Sequence, residues 1–117
     1  MTITQKFSCK VLEFAPELSI CKIDSSSEEL HNLLYNSKSE DNGYNISIIL
    51  TQNNKELLID GIVKKSFETE FHYFEIKDQE QIIFKAYDGF EIGEVSKQSI
   101  LSEKLFYFIE NKICIIK

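Results

Sequence analysis

The chain has 117 residues, with 19 Asp and Glu against 13 basic residues and a formal charge of −6. Every basic residue is lysine, so the planar fork that reads phosphate, carboxylate or guanine is missing. The negative balance also opposes nucleic acid and anionic membrane and favours a basic protein partner. The length predicts one domain over residues 1–117, able to bury roughly two thirds of its unfolded surface without a disulfide or metal.

Residues 4–13 alternate, with Phe7, Cys9 and Val11 on one side, and this predicts a half-buried strand. Pro16 ends it, and residues 18–24 read as a second strand. Ser26 followed by Glu29 fits a capping box for a short helix over 27–36, with Leu30, Leu33 and Leu34 as its apolar stripe. Residues 38–43 are polar and end in Asn42-Gly43, as in a loop. Strands are predicted over 44–51 and 56–64, joined by a turn at Asn53-Asn54, with Gly61 marking a bulge. A long strand over 66–77 follows, then one over 81–87. A hairpin at Asp88-Gly89 leads into 90–95. The segment from Ser96 onward has helical spacing at Ile100, Leu101, Leu105, Phe108, Ile109 and Ile116, with Ser96 or Ser99 as cap. Its tail, 113–117, is β-branched enough to be a strand instead. The fold class is therefore α+β: an antiparallel meander of four to six strands, a short helix in the N-terminal half and a C-terminal amphipathic helix on the sheet.

The stretch "FETEFHYFEIKD" (67–78) raises the main chemical question. On a strand, Glu68, Glu70 and His72 share one side, as metal ligands or an acid–base set would. A further ligand would have to come from elsewhere, and His31 is the other histidine. The simpler reading sends Phe67, Thr69, Phe71 and Tyr73 to the core and Glu68, Glu70 and His72 to water. Phe74 and Ile76 then fall on the wet side, unless the alternation flips near Tyr73. Two outcomes follow. Phe74 and Ile76 beside Glu68, Glu70 and Glu75 make a mixed partner-binding patch, or Phe74 and Ile76 are buried under a helix. A second acidic cluster lies at Glu28, Glu29, Glu40 and Asp41, of which Glu28 and Glu29 also suit a helix first turn.

Catalytic chemistry has little material here. No Gly-x-Ser-x-Gly elbow or phosphate-cradling glycine loop is present, and "DGFEIG" (88–93) is a hairpin with two glycines. Cys9, Cys21 and Cys114 sit among apolar residues, as small buried hydrophobes of a reducing compartment do. No catalytic residue, metal or cofactor is expected, and the chain is not expected to be an enzyme. Neither a signal-peptide pattern nor a run of ~20 apolar residues occurs, so a cytoplasmic location is expected. The function these features suggest is an acidic immunity or antitoxin-type inhibitor that neutralises a basic bacterial toxin such as a nuclease, with a monomer the expected state. The alternatives are a dimeric secretion chaperone acting on an extended client, or a small-ligand-binding or enzymatic α+β domain.

Overall fold

The computed structural model describes the backbone of residues 1–117 and every side chain except those of residues 39–42. Glu40 and Asp41, half of the second acidic cluster, therefore lie outside the described residues. The chain is an α+β protein whose helices cover one face of a seven-stranded, mostly antiparallel sheet. The strand count exceeds the predicted four to six because both edges gain a strand that the pattern disguises.

Helix α1 (Ile3–Phe14) replaces the strand that Phe7, Cys9 and Val11 predict. A capping box decides it: Thr2 Oγ1 accepts from the Gln5 N–H, and Gln5 Oε1 accepts from the Thr2 N–H at 2.8 Å. Phe7, Ser8, Val11 and Leu12 then share one buried face at helical spacing. Lys55 closes the other end, donating to the Ala15 carbonyl at 2.5 Å. Strand β1 (Ile20–Asp24) follows. The short helix α2 (Glu28–Leu33) forms as predicted, but its cap is Ser27 rather than Ser26, accepting from the Leu30 N–H at 3.2 Å.

The expected loop over 38–43 is strand β2 (Lys38–Asn42), joined to β3 (Asn45–Ile49) by a two-residue turn in which Gly43 has φ +68°. The expected strand over 56–64 belongs to helix α3 (Gln52–Lys65). Thr51 caps it through the Asn54 N–H, and Asn54, Lys55, Leu58, Gly61 and Ile62 form its buried face. Gly61 is no bulge; its bare Cα admits the Phe67 ring. Ser66 ends the helix in the left-handed region (φ 55°), so Phe67–Glu70 coil into a 3-10 turn and strand β4 is confined to Tyr73–Asp78.

β4, β5 (Gln81–Tyr87) and β6 (Ile92–Val95) make the predicted antiparallel meander. The C-terminal helix breaks at Leu105 into α4 (Ile100–Lys104) and α5 (Phe106–Glu110), with Ser99 at the first N-terminus. Residues Cys114–Ile116 form β7, the strand option for the tail. A helical crossover precedes it, so β7 pairs parallel to β6. The sheet order is β2-β3-β1-β4-β5-β6-β7. One core holds both layers. At its centre the rings of Phe7, Phe71, Phe74, Phe84 and Phe90 lie 4.8–6.0 Å apart, centroid to centroid.

Candidate functional site

The strand ends nearest α2 collect acid, exposed at Glu28, Glu70, Asp88 and Glu91 and half-buried at Asp24. Backbone hydrogen bonds run across the sheet there beyond the regular pairing: Ser25 N–H to Tyr44 O, His72 N–H to Asp24 O at 2.8 Å, and Asp88 N–H to His72 O at 3.1 Å. This line brings β3, β1, β4 and β5 to one rim, with His72 at its middle. His72 is exposed, and its Nε2 lies 3.4 Å from Ser26 Oγ. Asp24 ends β1, Glu28 opens α2, Glu70 ends the 3-10 turn, and Asp88 and Glu91 flank the β5–β6 turn. Among the described residues no lysine is ion-paired to any of these carboxylates, whereas Glu29 is paired to Lys65. Tyr44, 65% exposed, adds an aromatic side chain to the rim.

The rim is held stiffly. Asp88, Gly89 and Phe90 all have positive φ (51°, 70° and 68°). A phenylalanine in that region is uncommon, and burial holds this one, since Phe90 is 1% exposed and wedged among the core rings. The Gly89 N–H donates to Phe71 O at 2.9 Å, and a Cβ on Gly89 would press the Thr69 backbone at 3.3 Å. The turn that presents Asp88 and Glu91 is thus anchored in the core rather than free to flex.

Of the residues singled out in 67–78, Glu70 and His72 reach this rim and the others do not. Glu68 is a correction: it is 2% exposed, because the 3-10 turn rotates it inward instead of alternating it outward. Thr69 takes the exposed position, and Tyr73 sits half-buried on the outer face of the sheet. Phe74 is a second correction. It and Ile76 are fully buried beneath the helices, so neither offers a contact surface. Glu75 lies on the outer face of β4, accepting from Tyr73 Oη at 2.6 Å. Glu28 is at the rim, while Glu29 points to Lys65. Asp24 and Asp88 were invisible to sequence reasoning, because only the hydrogen bonds that end the sheet bring them to His72; Glu91 follows Asp88 in the same turn.

Glu68, Glu70 and His72 do not converge, and among the described residues no group of three His, Cys, Asp or Glu side chains is placed to hold a metal. Cys21 and Cys114 are buried, and burial pushes the Cys114 thiol up to about 12 and Cys21 higher. Burial, then Glu68 and Glu13, raise the half-buried Cys9 as well. These are thiols held protonated, the opposite of an activated nucleophile. His31 donates from its ring to the Ser25 carbonyl at 2.7 Å, which stiffens the chain entering α2. No helix among the described residues is long and apolar enough to cross a membrane. No family model, curated protein or solved structure matches the chain.

Proposed function

We propose that the chain is a protein-binding inhibitor that docks a basic partner on the acidic rim around His72, in the manner of an immunity protein or antitoxin neutralising a basic toxin. The observation that carries this reading is the segregation of unpaired carboxylates, Asp24, Glu28, Glu70, Asp88 and Glu91, on a rigid rim of a chain with charge −6. Such a rim steers a cationic surface into place and selects against acidic competitors. Anchoring Phe90 in the core lowers the ordering cost of binding. A partner that acts on nucleic acid must itself be basic, which makes a nuclease-type toxin the natural target.

The test is capture of partners from the source organism's lysate at low and high salt, beside the variant Glu70→Lys/Asp88→Lys. A stoichiometric basic partner, weakened by salt and by the variant, is the expected result. A partner held equally by the variant places the interface elsewhere. A stoichiometric acidic partner, or a nucleic acid, counts against the reading outright.

A further inference from the structure

The face of the sheet opposite the helices carries its own pattern. Four strands contribute a cross-strand row of alternating charge: Lys22 pairs with Glu75, Glu75 with Lys85, and Lys85 with Glu94. One pleat away, Tyr73 pairs with Tyr87, their ring centroids 5.4 Å apart. Isoleucines stand around these rows. Ile20, Ile49, Ile82, Ile92 and Ile115 are 41–51% exposed, and no helix covers them.

We infer that this face is the interface of a two-fold dimer, with a second copy of the chain as occupant. The charge row selects the geometry. A two-fold axis running along the strands, between β4 and β5, lays β4 of one copy over β5 of the other and β1 over β6. Glu75 then meets Lys85 of the second copy and Lys22 meets Glu94, each contact occurring twice; Glu94 is already paired to Lys117 of its own chain at 2.6 Å, so Glu75 and Lys85 carry the register. Tyr73 meets Tyr87 by the same operation. An axis across the strands does the reverse, placing each strand over its own counterpart and Glu75 against Glu75. Like charges in register are the arrangement that interfaces avoid.

The relative rotation of packed sheets, about 30°, displaces outlying contacts most and leaves Glu75 and Lys85, beside the axis, nearly in place. Size is adequate. Strands ~4.8 Å apart and ~3.3 Å per residue give a face of roughly 500 Å² per copy, or about 1,000 Å² in total before side-chain relief, the level at which specific interfaces begin. The isoleucines and tyrosines supply apolar burial, and the charge row supplies register. The operation also leaves both acidic rims pointing the same way; of the rim carboxylates Asp24, in register with Tyr73, stands at the edge of the dimer face.

Sedimentation velocity of the full chain over a concentration series tests this without any partner. The wild type is expected to dimerise. Glu75→Lys and Lys85→Glu should each weaken the dimer about tenfold or more, since each sets like charges in register twice. Mixed in equal amounts, the two variants should pair with each other. One copy then presents lysine at both positions and the other presents glutamate at both, so each of the two contacts is again between opposite charges. That recovery also shows both variants to be folded. Glu110→Lys on the helix layer should change nothing. A wild type that stays monomeric throughout overturns the inference. So does a dimer that survives both single reversals, or one lost instead on Phe106→Ala/Tyr107→Ala, which would place the contact on α5.

Discussion

Glu68 is a carboxylate in the wrong place for stability. It is 2% exposed, and its Oε1 has no hydrogen-bond partner among the described residues. A buried acceptor left unpaired costs about 1–3 kcal/mol, and more when charged. Burial pushes its carboxyl above the usual range, opposed in part by a bond to its own backbone N–H. The sign follows from linkage. The folded value lies above the unfolded one, so the protein has its full stability, as far as this group is concerned, below the unfolded value of about 4.3. Stability is then lost as pH rises through the folded value. Glu68→Gln removes the charge and should raise stability near neutral pH, by about 1 kcal/mol, or roughly 4 °C in Tm for a chain of this size. The gain should shrink toward zero near about pH 4, where wild-type Glu68 is itself largely protonated in both states. Glu68→Met removes the polar atoms too and should keep part of its gain in acid. Thermal unfolding followed by circular dichroism at both pH values reads this directly. A gain that does not change with pH would show that charge is not the source of the cost. A loss at neutral pH would mean the carboxylate makes a favourable interaction that its surroundings do not reveal. The Cys9 thiol, which Glu68 helps to raise, should also react faster with iodoacetamide in Glu68→Gln.

Three further substitutions probe the packing of the fold. Gly93→Ala would place a Cβ 2.6 Å from Phe7 Cζ in a fully buried core, and should cost about 1–3 kcal/mol by overpacking, read from urea midpoints. Phe90→Ala removes the ring that anchors the Asp88–Gly89 turn; it should cost about 3–5 kcal/mol and raise amide exchange at Gly89, whereas unchanged exchange there would deny the anchoring role. Lys55→Met takes away the ammonium that closes α1 through Ala15 O and Glu13 O, and should lose about 1–3 kcal/mol despite keeping the buried stem. An equal stability would leave those carbonyls satisfied by water.

The fold class was legible in the sequence, but two of the longest helices were not, and the reasons are local. In α1, Phe7, Cys9 and Val11 alternate by accident, while the pairs Phe7–Val11 and Ser8–Leu12 carry the real four-residue spacing. A serine on the buried face hides that stripe from a hydrophobicity pattern. The Thr2–Gln5 capping box was the readable signal. In α3, β-branched residues and an internal glycine imitate a strand, yet Leu58 and Ile62 keep helical spacing, and Thr51 marks the start. Strand β2 is made of polar residues on a sheet edge, where no pattern demands burial. The tail strand owes its existence to pairing with β6, a contact that local sequence does not encode.

The site shows the same division more sharply. Glu70, His72 and Glu28 could be singled out because they are acidic or titratable and exposed, and exposure follows from polarity in most of a chain. Glu68 broke that rule because one left-handed residue, Ser66, converted two residues per repeat into three and turned a carboxylate inward. Beyond the turn the same change carried Phe74 and Ile76 into the core, so the flip in alternation and the buried acid have a single cause. Asp24 and Asp88 are far from His72 in the chain and meet it only through the hydrogen bonds that end the sheet. The Asp88-Gly89 pair was readable as a turn from its residue types alone. That the turn also fixes Asp88 beside His72 depends on Phe90 reaching the core, and therefore on the whole fold. Charge on this protein is thus positioned by its aromatic interior, and loosening Phe90 should weaken capture of the proposed basic partner even with every rim carboxylate intact.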